Sequence, residues 1–212
     1  MTMAVRAVVF DLGETLLDET ELWGTWADAL RVPRFTFFAV AGALIERGEH
    51  PSRAVELFGP EAAEPSPYVL SPTHLYRDAV PCLQRLRDLG YTTAVAGNQP
   101  TGLQEQVSAL GLPVDVVTSS AELRVEKPEP VFFARLAARL GLPPQEVAYV
   151  GDRVDNDIVP AADAGLVAVL VRRGPWVVLQ AAWPEASRAH ATVDSLAEVP
   201  DVVAGPHIAV PR

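Results

Sequence analysis

Lysine, cysteine and positive charge are all scarce in this 212-residue chain, and each shortage excludes something. The single cysteine, Cys82, rules out an intramolecular disulfide and points to a reducing compartment. Basic residues number 17 against 27 acidic ones, a formal net charge of -10, which argues against nucleic acid or an anionic membrane as partner. An anionic substrate would have to be held by a local cation or a metal, against the field of the whole chain. No apolar run approaches the ~18 residues of a membrane helix. Met1-Thr2-Met3 leads straight into the first apolar run and leaves no room for a signal peptide, so a cytoplasmic location is expected. No internal repeat or low-complexity tract is visible. Lysine is the sharpest shortage. Of the 17 basic residues, Lys127 alone is a lysine, so position 127 either requires a compact ammonium or keeps one surface lysine by chance.

What is present is an ordinary globular composition, 49% hydrophobic and 21% charged, enough for one large domain or a core with a small inserted one. An apolar run over residues 5–10 ends on Asp11, and Gly13-Glu14-Thr15 follow at once. Such a run reads as a buried, parallel-type strand. A carboxylate at its C-terminal end sits where open α/β sheets place their chemistry, although a turn or helix-capping Asp is the plain alternative. Residues 19–32 and 34–46 carry helical spacing, Ser52 is expected to cap a short helix through Phe58, and residues 61–72 read as a Pro-rich connector. No strand is expected between 18 and 76. Trp23, Trp26, Phe35, Phe37 and Phe38 give this helical insertion an apolar face, mostly for its own core.

Strand and helix alternate after that. Strands are expected over 91–96, 114–118, 146–150, 166–171 and 191–193, and helices over 78–89, 101–110, 130–140, 157–164 and 196–203. The pattern implies an α/β fold, a Rossmann-like doubly wound parallel sheet covered on both faces. Residues 1–17 and 77–212 would form this core, and residues 18–76 a small α-helical cap. Polar residues at strand ends then converge on one edge: Asp11, Asn98, Ser119 with Ser120, and Asp152, with Lys127 in a loop on the same edge.

Asp11 and Asp152 end two separate buried strands; two carboxylates brought together repel unless a cation joins them, and oxygen ligands suit Mg²⁺. Asp157 is either part of this acidic loop or a helix cap. A carboxylate beside Mg²⁺ can attack phosphorus, with Lys127 and hydrogen-bond donors such as Thr15 and Asn98 stabilising the transferred group.

Four motifs in order, FDLGETL at 10–16, AGNQP at 96–100, EKPEP at 126–130 and GDRVDND at 151–157, resemble those of the haloacid dehalogenase-like hydrolases with an inserted helical cap. The resemblance implies Asp11 as nucleophile and Mg²⁺ ligand, the Gly13 carbonyl and Asp152 as further ligands, and Asp157 as the supporting acid of its loop. It implies a small phosphorylated metabolite as substrate and a monomer or homodimer. The chain departs from the family's phosphatases at two positions. Gly13 stands where a second Asp normally acts as general acid and base, and Gly97 where Ser or Thr is usual. Glu14 is either a substitute acid or a hinge carboxylate. Three activities follow as alternatives: a Mg²⁺-dependent phosphatase with altered acid/base chemistry, a catalytically weak protein that binds a phosphorylated ligand or a partner, and a dehalogenase-type hydrolase.

Overall fold

Short runs of β-branched and small apolar residues cannot bury themselves, and here six of them pair side by side. The structure, a computed structural model, describes residues 4–59 and 69–205. The strands are β1 (Ala7–Phe10), β2 (Thr92–Gly97), β3 (Val116–Ser119), β4 (Val147–Gly151), β5 (Val167–Val171) and β6 (Ala191–Val193). All are parallel, in the order β3-β2-β1-β4-β5-β6, which is a Rossmann-like doubly wound sheet. The period-two alternation of a strand divides its side chains between two cores. Val8, Phe10, Val95 and Val150 pack on one face, and Val9, Ala94, Ala96 and Tyr149 on the other.

The strand order reverses between β1 and β4, where open sheets leave a crevice beyond the strand ends. In register, Phe10 lies opposite Val150, so Asp11 and Asp152 emerge next to each other. The Asp11 N–H donates to the Val150 carbonyl at 2.9 Å, which carries the pairing one residue past the strand.

The helices are α1 (Thr20–Ala29), α2 (Arg34–Glu46), α3 (Ala54–Phe58), α4 (Ala79–Asp88), α5 (Leu103–Ala109), α6 (Ser120–Leu123), α7 (Pro130–Leu140), α8 (Val159–Asp163), α9 (Gly174–Gln180) and α10 (Val199–Ala204). Helices α1 to α3 share a small core of Ala27, Phe37, Ala41, Leu44 and Ala54, with Trp23 and Trp26 packed against it. Of the aromatic face expected there, Phe37 is buried but Phe35 is exposed. The chain leaves the sheet and returns to it side by side: Leu17 bridges Leu75, and the Tyr76 N–H donates to the Leu16 carbonyl at 3.0 Å. Most of the Pro-rich connector, residues 60–68, lies outside the described residues.

Several elements differ from the sequence expectation for local reasons. Ser52 does not cap α3. It lies inside a 3₁₀ turn, Pro51–Arg53, and its N–H donates to His50 Nδ1 at 3.3 Å. The helix expected over 157–164 starts later. Val154–Ile158 form a π-helical turn, and α8 opens with Pro160 in its first turn, where a missing N–H costs nothing. Helices α6 and α9 have no periodicity to betray them, being only four and seven residues long.

One polar knot locks the return path to the core. Asp78 Oδ1 and Oδ2 accept from Arg173 Nη1 at 3.0 Å and Nη2 at 2.6 Å, and Oδ2 also accepts from Ser195 Oγ and the Leu196 N–H. Arg173 donates to the Thr15 carbonyl and stacks on Tyr76. Burial alone would raise the Asp78 pKa, but Arg173, Ser195 and Leu196 hold it below the ordinary value. Asp78→Asn should therefore lower stability by about 2–3 kcal/mol in urea denaturation at neutral pH. A depressed carboxylate stabilises above its unfolded pKa of about 3.9, so the gap to wild type should shrink as pH falls below that value.

Candidate active site

The crevice beyond β1 and β4 gathers the residues that the four motifs single out. Carboxylate oxygens of Asp11, Asp152 and Asp157 lie within 4.8 Å of one another. Lys127 Nζ sits between two of them, 2.9 Å from Asp11 Oδ1 and 2.6 Å from Asp157 Oδ1. Lys127 is 4% exposed, so the only lysine is a core residue and not a surface survivor. Burial opposes its charge, yet Asp11 and Asp157 keep it protonated, well above its ordinary pKa. Burial and the neighbouring carboxylates Asp157, Asp11 and Glu14 push Asp152 up; burial likewise raises Asp157, although Lys127 opposes it. The floor is Tyr149, whose ring lies 5.5 Å below Lys127 Nζ and whose hydroxyl donates to the Ala96 carbonyl at 2.8 Å.

Each strand-end loop has a distinct duty. Asn98 grips the Lys127 backbone from both ends of its amide: Nδ2 donates to the Lys127 carbonyl at 2.9 Å, and Oδ1 accepts the Lys127 N–H at 2.8 Å. One amide hydrogen of Asn98 remains after these two bonds. The Thr15 hydroxyl is buried and faces Asp152 Oδ1 at 3.4 Å. Asp157 is already spent on both sides, Oδ1 on Lys127 and Oδ2 on the Arg153 N–H at 3.0 Å. Asp152 is not. Its Oδ2 is buried with no hydrogen-bond partner among the described residues. Ser119 caps α6 by accepting the Glu122 N–H, and Ser120 Oγ donates to the Gln99 carbonyl, so both serines serve their own loop.

The glycine departures have a spatial meaning. A Cβ on Gly97 would collide with Asp11 Oδ1, so the missing side chain leaves room for Asp11 to lean onto Lys127. A Cβ on Gly13 would lie 2.7 Å from Cδ of Glu19. Glu14, at a positive φ of 52°, lines the crevice and acts as a tie: Oε2 accepts the Tyr76 hydroxyl at 2.7 Å and Oε1 the Glu19 N–H at 3.0 Å. Burial is the largest influence on Glu14 and raises its pKa. Burial, reinforced by Glu14 and Asp11, pushes Glu19 up to about 7.

Asp11, Glu19, Asn98, Lys127, Asp152 and Arg153 are among the residues that line a cavity of about 140 Å³, roofed by Trp23, His50 and Trp176. A second, mainly apolar cavity of about 260 Å³ adjoins it between Trp23, Phe38, Ile45, Pro51, Pro175 and Trp176. Trp176 lines both cavities. It is buried at this junction, with the Arg153 guanidinium 3.7 Å from its ring centre. Trp183 packs against the second sheet core.

The sequence pattern of the haloacid dehalogenase-like hydrolases matches residues 5–165, which takes in all four motifs and the crevice they form. The chain belongs to that family. A glyceraldehyde 3-phosphate phosphatase of Methanopyrus kandleri is 41% identical over 104 residues, 48% of this chain and 45% of that protein. The chain spans about half the length of the curated relatives it matches. Among solved structures, a HAD phosphatase from Thermococcus onnurineus superposes with a TM-score of 0.63 at 24% identity, covering 95% of this chain and 99% of that one. An L-2-haloacid dehalogenase from Xanthobacter autotrophicus gives 0.67 at 23%, covering 95% and 99%. Phosphatase and dehalogenase share this fold, so the backbone does not choose between them and the side chains must. Among the described residues, no helix is long and apolar enough to cross a membrane.

Proposed function

We propose that the protein is a Mg²⁺-dependent phosphatase of a small phosphorylated metabolite, working through an aspartyl-phosphate on Asp11. The observation that carries this reading is the orphaned Asp152 Oδ2, buried within a cluster of three carboxylates that has one ammonium among them. With the carboxylates ionised, three negative charges against one positive leave a deficit of two, which a divalent cation cancels. Asp11, the Gly13 carbonyl and Asp152 would hold Mg²⁺, with Asp157 closing the acidic side, and the ion would neutralise charge on the transferring phosphoryl group. A dehalogenase has no use for such an uncompensated cluster.

The chain's own residues do the rest. Asp11 attacks phosphorus in line and takes the phosphoryl group. Lys127 faces the oxygens that gather charge, and Asn98 holds Lys127 in place while offering its free amide hydrogen. Thr15 orients Asp152. Helices α1 to α3, with residues 18–76 as their outer bounds, act as a cap that excludes water and receives the alcohol part of the substrate between Trp23 and Trp176. The two adjoining cavities, about 140 and 260 Å³, suit a small phosphorylated metabolite with its phosphoryl group on the polar side.

A phosphate-release screen over a metabolite panel tests the reading. Release should require Mg²⁺ and stop with chelator. Mg²⁺-dependent thermal stabilisation by a phosphate analogue, without turnover of any phosphate, would replace the phosphatase reading with that of a ligand-binding protein. Halide release from a 2-haloacid in chelator would replace it with a dehalogenase.

A further inference from the structure

The family's phosphatases carry a carboxyl two residues after the nucleophile, and Gly13 offers none. The space that side chain would enter is not empty. A Cβ built on Gly13 would lie 2.7 Å from Glu19 Cδ and 3.1 Å from Glu19 Oε2, with Oε1 nearer still. The carboxyl group is therefore present in the right volume but comes from a different residue, six positions further on.

Three contacts hold it there. Glu19 stands immediately before α1, and its N–H donates to Glu14 Oε1 at 3.0 Å. Glu14 is itself anchored by the Tyr76 hydroxyl. Trp23 Nε1, one turn into α1, donates to Glu19 Oε2 at 3.3 Å. Oε1 has no donor among the described residues, and Glu19 lines the same cavity as Asp11, Asn98 and Lys127. Glu14, expected from sequence as either a substitute acid or a hinge carboxylate, has both oxygens engaged in the tie.

We propose that Glu19 is the general acid and base of this enzyme, delivering from the start of α1 the carboxyl that Gly13 lacks. The inference rests on the phosphatase reading above. In the first step Asp11 forms a bond to phosphorus, the bond from phosphorus to the substrate oxygen breaks, and that oxygen takes the proton of the Glu19 carboxyl and leaves as the alcohol. In the second, water gives a proton to the Glu19 carboxylate as its oxygen bonds to phosphorus. The bond to Asp11 breaks, and inorganic phosphate leaves with Asp11 and Glu19 restored.

Two measurements test it. Glu19→Gln should slow turnover of alkyl phosphates by about 10²-fold or more, since their leaving groups need the proton, with KM little changed. With an aryl phosphate, whose leaving group needs little help, the first turnover should stay within about tenfold of wild type and appear as a phenol burst before slow hydrolysis. Equal losses on both substrates, or no loss on either, would overturn the role while leaving the phosphatase reading in place. Absence of phosphate release from the wild type would instead remove that reading and this role with it. The second measurement reads placement without activity. Gly13→Asp should lower the thermal midpoint because its carboxylate must push the Glu19 carboxyl off Trp23 Nε1 and sets a like charge beside it, and Glu19→Ala should restore it in the double variant. The double variant should also regain alkyl phosphate turnover that Glu19→Ala alone lacks. A Gly13→Asp variant as stable with Glu19 as without it would show that the two do not share one volume.

Discussion

Asp11→Asn is expected to reduce phosphate release by at least about 10³-fold, the scale seen when a covalent nucleophile is removed, and to leave the fold as stable as before. The activity loss follows from chemistry. An amide has the same shape as the carboxylate but is uncharged, and its oxygen is a far weaker nucleophile toward phosphorus. The retained stability follows from electrostatics. Asp11 is only partly buried and has Lys127 as its ion-pair partner, while Asp152 and Asp157 remain beside it. Taking one negative charge from an over-acidic cluster relieves repulsion as much as it weakens one ion pair. Single-turnover phosphate release, read beside urea denaturation, separates the two. Retained turnover would remove Asp11 as the nucleophile, and lost turnover with a lost fold would contradict the charge argument.

The parts of this molecule that could be read from sequence are those encoded by near neighbours. Helix α2 (Arg34–Glu46) and helix α7 (Pro130–Leu140) fall where their spacing put them, as does β6 (Ala191–Val193). The strands are apolar runs closed by polar residues, so Asp11, Asn98 and Asp152 had to reach one edge once the alternation was recognised. Lys127 was legible for another reason: a chain that otherwise uses Arg keeps one Lys in a motif.

What escaped depends on turns that fold a side chain back against its own sequence. Glu19 reads as the first residue of an amphipathic helix, and nothing in its spacing says that its carboxyl reaches Gly13. It does so because Glu14 adopts a left-handed conformation and then ties the Glu19 N–H. The signal that was available is chemical: a missing acid beside a chain segment with a surplus of acids. The same limit explains Asn98. Its motif position suggests a ligand contact, but its double bond to the Lys127 backbone spans 29 residues and no local pattern reports it.

Lys127→Met should be the most damaging single substitution in the site. Its ammonium lies between Asp11 and Asp157, within a shell that excludes water. Removing one partner of a buried ion pair leaves an uncompensated charge and costs about 3–5 kcal/mol. Phosphate release should fall steeply with it, since Lys127 is the cation in ion-pair contact with the Asp11 carboxylate. Lys127→Arg should not rescue either property, because a planar fork does not fit where a point charge meets two carboxylates from different loops. That is the physical reason an arginine-rich chain keeps a lysine here. Loss of charge can be separated from loss of packing by a double variant. Adding Asp157→Asn to Lys127→Met removes the charge left without a partner, so the double variant should be more stable in urea than the sum of the two single losses. If the losses simply added, Lys127 would be filling space beside Asp157 and not neutralising it, and its role opposite the phosphoryl oxygens would lose its electrostatic basis.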